Sequence, residues 1–127
     1  MSRETAKQCP GRDSGQAALE FAGWIAVLLI AALAALQLGI AAYAMQQAGT
    51  AARAAARVAS QGGDGQAAGQ AAVSGWLDPQ VSAPAGAGAD QVTATATVPI
   101  PAVLPLFTLP SAVRTTTMPV TAPDPDE

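Results

Sequence analysis

Residues 15–44 read GQAALEFAGWIAVLLIAALAALQLGIAAYA, and this stretch decides the fold. Its central part, residues 21–43, is 23 residues long, and its only clearly polar side chain is that of Gln37. A segment that crosses the hydrocarbon core of a bilayer needs about 20 apolar residues, and it must be helical because lipid offers no partner to free backbone groups. At a rise of about 1.5 Å per residue the run is about 35 Å long. The sequence therefore predicts one membrane-spanning helix.

The composition of the remaining chain argues against an enzyme. The protein has 127 residues, no His, a single Cys and a net charge of −3. Without His, the Ser–His and Cys–His arrangements of nucleophilic catalysis cannot form. Neither the carboxylates nor the cysteine are spaced as metal ligands, and Lys and Arg do not cluster as nucleic-acid binding requires. We expect no catalytic residue, metal, cofactor, small-molecule substrate or nucleic-acid partner.

The N-terminal segment, residues 1–15, is polar and slightly basic, with the sequence MSRETAKQCPGRDSG. Pro10, Gly11 and Gly15 argue against regular structure there. We interpret these 15 residues as a targeting leader that does not take part in the fold. Cys9 precedes the hydrophobic run, whereas a cysteine that carries a lipid anchor follows one, so we read Cys9 as an incidental leader residue.

Residues 16–60 are predicted to form one long helix, a transmembrane segment with an extracytoplasmic extension. The extension contains AARAAARVAS, and Ala is the best helix former. The glycine-rich sequence QGGDG at 61–65 is expected to end the helix. Residues 61–127 then form a small α+β module, so the expected fold class is mainly α, with a single membrane pass and a Thr-rich strand pair.

Within this module the sequence predicts few regular elements. Residues 91–98, QVTATATV, alternate apolar side chains with Thr, which is typical of a half-buried strand. A second strand is expected over 112–118, and the proline-interrupted PAVLPLFTLP between the strands is read as a loop or edge. The other expected parts are a short helix over 66–76, a linker over 81–89 and a frayed acidic tail, TAPDPDE.

Aromatic and basic side chains near the ends of the apolar run are expected to lie at the membrane–water interface. Trp24 and Tyr43 are placed as an aromatic belt. Arg53 and Arg57 are four residues apart and share a helix face, where they would anchor the helix at the interface. Trp76, in contrast, is expected to pack against the strand module.

The entrance to the apolar run resembles a prepilin. A short, slightly basic leader ends in Gly15, and Glu20 stands at the fifth position after it, followed by the aromatic Phe21. The Glu20-Phe21 pair is similar to the Glu-Tyr/Phe pair of the Flp subfamily. Together with the Ala/Arg-rich extension and the Thr-rich strands, the chain resembles a TadE-like minor pseudopilin of the tight-adherence (Flp) pilus system. It departs from that pattern in having no extracytoplasmic cysteine pair and a very short C-terminal module.

The resemblance implies a pathway and partners. A membrane prepilin peptidase would cleave between Gly15 and Gln16. Glu20 would then meet the new N-terminal amine of a neighbouring subunit, and such a pairing relieves the cost of an acid in lipid. The partners would be other pilins or pseudopilins, the assembly platform of a pilus or secretion apparatus, and the lipid bilayer. An interfacial carboxylate at Glu20 that has no protein partner is the alternative.

The basic residues indicate an orientation. Three lie before the apolar run and two lie on the flank where the helix leaves it, so the positive-inside rule favours a cytoplasmic N-terminus and an extracytoplasmic C-terminus. We therefore expect a single-pass protein of the cytoplasmic (inner) membrane that can also enter the pilus. The flanking basic residues are Arg3, Lys7 and Arg12 before the run, and Arg53 and Arg57 just after it.

Two alternatives remain at this point. In one, residues 1–20 are the n-region of a secretory signal, and signal peptidase cleaves after Ala42-Tyr43-Ala44. The apolar run exceeds the 7–15 residues that such a signal uses. In the other, the chain keeps residues 1–15 and is a single-pass anchor of a small protein of unknown role. The N-terminal mass of the mature chain separates these alternatives.

Overall fold

The computed structural model describes residues 13–84, 89–104 and 107–121. Its elements are α1 (Asp13–Ser60), α2 (Gly65–Ala71), a 3-10 turn (Gly75–Leu77), β1 (Gln80–Ser82), β2 (Gln91–Val98) and β3 (Ala112–Pro119). The chain divides into two compact units, Met1–Ala35 and Leu36–Glu127. The expected fold class is confirmed, because a long apolar N-terminal helix precedes a small module with antiparallel strands.

In the first unit, α1 exposes its apolar side chains. Every residue of α1 from Ala17 to Ala35 is exposed, including large aliphatic side chains such as Leu28 and Ile30. Within the described part of the chain, α1 is the one helix that is long and apolar enough to cross a membrane. A mean hydropathy of 2.5 over its best 18-residue window fits a single-pass membrane protein.

In the second unit, α1 packs through a face made almost entirely of alanine. The buried alanines recur at helical spacing and meet the inner face of the sheet in two clusters. Because alanine has no side chain beyond Cβ, helix and sheet can approach closely, and their contact buries little area per residue. The buried alanines of this face are Ala44, Ala48, Ala51, Ala52, Ala55, Ala56 and Ala59.

The sheet is antiparallel, with the order β1-β2-β3. The alternation expected for β2 is observed, since its two valines and two alanines are buried while its threonines point to the other face. On that outer face the hydroxyls of Thr93 and Thr117 are 3.1 Å apart, and those of Thr95 and Thr115 are 3.2 Å apart. Both expected strands are therefore present, and β3 extends one residue further, to Pro119.

The glycine-rich sequence after Ser60 ends α1 as expected. Gly62 has a φ of +81°, a left-handed conformation that favours glycine. The N–H of Gly62 donates to the carbonyl of Ala59 at 3.1 Å, and that of Gly63 donates to the carbonyl of Val58 at 2.9 Å. These two bonds form a Schellman motif, which satisfies carbonyls at the helix end. The Asp64 carboxylate then accepts from the N–H of Ala67 and caps α2.

Three sequence-based boundaries are wrong. The expected linker over 81–89 begins with strand residues, because β1 pairs with β2 and buries Val81. A three-residue strand is too short to show alternation in the sequence. The second helix stops at Ala71 and is followed by the 3-10 turn, so it does not reach Trp76. Helix α1 begins at Asp13, inside the segment expected to lack regular structure.

This early start of α1 has a simple cause. The helix breakers Pro10 and Gly11 lie upstream of Asp13, the first helical residue, so they do not interrupt α1. The rest of the expected leader, residues 1–12, lies outside the described residues, as do residues 85–88 of the linker and residues 122–127 of the acidic tail.

Candidate functional site

The expected cleavage site lies in the first turn of α1, where Gly15 and Gln16 are both exposed. A Cβ added to Gly15 would meet no atom within 4 Å. Glycine in a helix costs up to about 1 kcal/mol relative to alanine, and packing in this structure gives no reason for that cost. Position 15 therefore has room for at least a Cβ.

Glu20 lies on an apolar face of the same helix. Together with Gly23, Trp24 and Val27 it lines a shallow groove, since residues three, four and seven apart share a helix face. Trp24 is 63% exposed, and a Cβ at Gly23 would meet nothing within 4 Å. A carboxylate on such a face is costly in lipid unless a cation or a donor meets it. The groove can therefore accept an apolar helix together with one positive charge.

Phe21, the neighbour of Glu20, is 68% exposed. Successive helix residues point about 100° apart, so Phe21 and Glu20 lie on adjacent faces. The structure thus places Glu20 and Trp24 on one face of α1 and Phe21 on another.

Tyr43 and Trp76 form an exposed aromatic pair in the second unit. Their ring centroids are 6.1 Å apart and their planes differ by 6°, and the Tyr43 hydroxyl lies 2.9 Å from Ser74 Oγ. Trp76 was expected to pack against the strand module, but its ring stacks on Tyr43 of α1 and is 63% exposed, while Leu77, at 2%, takes the core position. Adjacent residues of a 3-10 turn cannot both face the core, and the smaller side chain fits the alanine-lined space.

Arg53 and Arg57 are both exposed on α1, as their four-residue spacing predicts. Arg53 lines an open cleft with Arg114 of β3, and Arg114 Nη2 is 3.8 Å from the sulfur of Met45. Arg57 lies in the last turn of α1, where a positive charge is favourable. That these residues anchor the helix at the membrane interface stays a prediction.

Gln37 is a structural residue whose role the sequence did not reveal. It is 5% exposed, its Nε2 donates to the Pro101 carbonyl at 3.1 Å, and its Oε1 accepts from the N–H of Val103 at 2.7 Å. Its position as the one polar side chain of the apolar run was a signal that it needs partners. The partners could not be identified from the sequence, because they are backbone groups more than 60 residues away.

Among residues 13–84, 89–104 and 107–121, no three His, Cys, Asp or Glu side chains come together as a metal site requires. The arrangements that the structure does offer are surfaces for contact: an apolar helix segment that carries one acid, and a small module packed on the C-terminal part of α1.

Comparison with known proteins gives one match. Residues 15–57 match the family model of TadE-like proteins. The match begins at Gly15, at the expected cleavage site, and includes Glu20, Gln37 and both arginines of α1. No curated protein and no solved structure matches the chain.

Proposed function

We propose that the chain is a minor pseudopilin. The proposal proceeds from the match of residues 15–57 to the TadE-like family, which suggests a Tad/Flp pilus-associated protein. The chain acts by assembling with other pilins in a membrane, and it catalyses no reaction. The observation that carries the proposal is the exposed apolar part of α1 with a single acid, Glu20, near its start. A helix of this kind needs lipid and other helices around it, because water is a poor solvent for its surface.

Cleavage after Gly15 by a prepilin peptidase is the first step of the proposed pathway. Glycine allows close approach of a protease to the backbone, and packing does not require a glycine at position 15, since an added Cβ would meet no atom within 4 Å. The bond lies in the first turn of α1. Helix ends fray, so an extended conformation at Gly15–Gln16 is accessible.

Cleavage creates a new α-amino group at Gln16, four residues before Glu20. In the proposed assembly this amine of one subunit meets the Glu20 carboxylate of a neighbouring subunit. The groove of Glu20, Gly23 and Trp24 supports the pairing, since Gly23 leaves room beside the carboxylate for a neighbouring helix. In the inner membrane, the N-terminus would be cytoplasmic and the module outside.

The arrangement of the module disfavours a secretory signal cleaved after Ala44. That cleavage would remove Gln37 and Tyr43, which contact the module, and would cut α1 at the fully buried Ala44. A signal peptide is not expected to supply core residues to the protein from which it is removed.

The decisive test is the intact mass of the chain purified from its own membranes, with N-terminal sequencing. The proposal expects a start at Gln16. A start at Met45 would mean a secreted protein, and a start at Met1 or Ser2 would mean a plain anchor. Either of these two results would overturn the pseudopilin assignment.

Replacement of Gly15 sharpens this test. Gly15→Leu should block leader removal without disturbing the fold, because a Cβ added at position 15 would meet no atom within 4 Å. Gly39→Leu is a matched control, since a Cβ at Gly39 also meets nothing within 4 Å, and this variant should be processed normally. Normal processing of Gly15→Leu would contradict the cleavage site.

A further inference from the structure

We propose that the apolar loop between β2 and β3 inserts beside α1 into the membrane–water interface on the extracytoplasmic side and holds the module against the bilayer. The apolar loop is defined here by its described residues, 99–104 and 107–111. The inference rests on the membrane span of the proposed function and adds to it a lipid-binding surface in a part of the chain outside the family match.

The surface of the apolar loop is suited to lipid. Residues 99–111 contain no charged side chain, and large apolar side chains stand open to solvent on the loop. Phe107 is 65% exposed, Leu109 is 37% exposed and Val103 is 36% exposed. An apolar patch of this kind marks an interaction surface. The nearest charges along the chain are Asp90 and Arg114, which lie outside the loop.

The position of the loop along α1 points to the bilayer as its partner. Both hydrogen bonds of Gln37 go to the loop backbone, at Pro101 and Val103. Gln37 belongs to the apolar run 21–43 and precedes its end at Tyr43 by six residues, or about 9 Å along a helix axis. Interfacial segments typically enter a bilayer by about 5–10 Å. The loop is therefore held at the depth where such segments lie.

Part of the loop backbone needs no hydrogen bond from water. Pro99, Pro101 and Pro110 have no N–H to satisfy. The N–H of Val103 donates to Gln37, and that of Phe107 donates to the carbonyl of Leu104 at 3.1 Å. Each backbone N–H that is paired or absent lowers the cost of placing the loop where water is scarce. The Gln37 side chain is likewise hydrogen-bonded through both its amide nitrogen and its amide oxygen.

Aromatic residues near the end of the apolar run indicate the level of the membrane–water interface. The exposed Tyr43–Trp76 pair lies at the end of the apolar run, and Trp and Tyr favour the headgroup region. Trp76 is brought to this level by the module, as the apolar loop is, so two separate segments of the module present lipid-compatible side chains near the end of the run.

Tryptophan quenching in the full chain reconstituted in phosphatidylcholine–phosphatidylglycerol vesicles tests the proposal. In a Trp24→Phe, Trp76→Phe background, a single Trp is placed by Phe107→Trp, with Leu109→Trp as a second position on the loop. The matched control is Thr117→Trp, on the exposed outer face of the sheet. Brominated phospholipids report contact with lipid, and acrylamide reports contact with water.

The expected result is a blue-shifted emission and loss of intensity with shallow brominated lipids for the Trp at position 107, together with protection from acrylamide. The Trp at position 117 should show the opposite pattern. Equal acrylamide quenching at both positions would overturn the proposal. Protection of position 107 from both quenchers would also overturn it, because a second copy of the chain would then cover the loop.

A chain with only Trp76→Phe keeps Trp24 as its sole tryptophan and separates the two proposals. If Trp24 is quenched by lipid and the Trp at position 107 is not, only the loop proposal fails. If Trp24 is not quenched by lipid at any depth, the membrane span fails, and the loop proposal fails with it.

Discussion

Gln37 shows how one residue links α1 to the C-terminal module. Its two hydrogen bonds are long-range, and both involve loop backbone. A buried donor or acceptor that loses its partner costs about 1–3 kcal/mol. The Gln37 side chain therefore holds the apolar loop in position, although the rest of the loop is largely exposed.

Gln37→Leu should release the loop from α1. The N–H of Val103 and the carbonyl of Pro101 would lose their partners, and we expect the module to lose about 1–3 kcal/mol of stability. Hydrogen–deuterium exchange in detergent micelles, followed at the peptide that contains Val103, measures the effect. Gln46→Leu, at an exposed position of the same helix, is the control. Equal exchange in the two variants would show that the Gln37 bonds do not hold the loop.

Glu20→Ala should leave membrane insertion intact and weaken association with other pilins. A hydrogen bond to a charged group contributes about 1.5–3 kcal/mol, which corresponds to a loss of roughly tenfold or more in affinity. Co-purification of partner pilins from membranes measures the loss, and Phe21→Ala, on an adjacent face, separates the charge from apolar contact. Unchanged recovery of partners with Glu20→Ala would count against the pairing with a neighbour's amine.

At the scale of elements, small residues let α2 pack closely against α1. A Cβ on Gly65 would lie 2.5 Å from the Ala55 carbonyl oxygen, and one on Gly69 would lie 3.0 Å from that of Ala51. Both neighbours are helix backbone, which cannot move aside as a side chain can. The two glycines, which weaken α2 as a helix in isolation, are therefore required by its packing.

Gly65→Ala should destabilise the module by about 1–3 kcal/mol, the usual cost of an extra methyl group in a filled space. Thermal unfolding of the full chain in detergent, in a Trp24→Phe background so that near-ultraviolet circular dichroism reports Trp76 as the sole tryptophan, measures the change. Gly75→Ala is the control because a Cβ there meets nothing within 4 Å. A destabilisation of the same size in both variants would point to helix propensity or local effects rather than to a clash with α1.

At the scale of the whole molecule, the single cysteine reports both processing and orientation. Cys9 is the only thiol and lies in the proposed leader, so the processed chain should contain none. Chain purified from membranes and denatured should therefore not react with a maleimide mass tag, whereas the Gly15→Leu variant should gain one tag. A tag on the wild-type chain would contradict leader removal.

The same chemistry tests the topology. In spheroplasts, a membrane-impermeant maleimide should label Thr117→Cys, at an exposed position of β3. It should label Cys9 of the unprocessed Gly15→Leu variant only after lysis. Labelling of Cys9 in intact spheroplasts would reverse the proposed orientation.

Local patterns in the sequence were sufficient for the elements whose environment is local. The apolar run predicted α1, the Gly-rich turn predicted its end, and the Val/Ala–Thr alternation predicted β2 with its buried face. The pattern around Gly15 and Glu20 pointed to the TadE-like family, which the match over residues 15–57 supports. Each of these signals reflects either whether a side chain lies in an apolar or a watery environment or which backbone conformation a residue favours. Both properties can be read from residues that are close together in the sequence.

Only the tertiary structure decided which distant groups meet. Strand β1 is too short to be recognised before β2 gives it a partner, and Trp76, expected to pack against the strand module, stacks on Tyr43 while Leu77 enters the core. The hydrogen bonds of Gln37 and the close packing at Gly65 and Gly69 involve backbone groups, which every residue carries and which leave no mark on side-chain patterns. The sequence therefore determined that this chain has a helix long and apolar enough to span a membrane and a Thr-rich strand pair, and three-dimensional packing determined how the module and its apolar loop are attached to the C-terminal part of that helix.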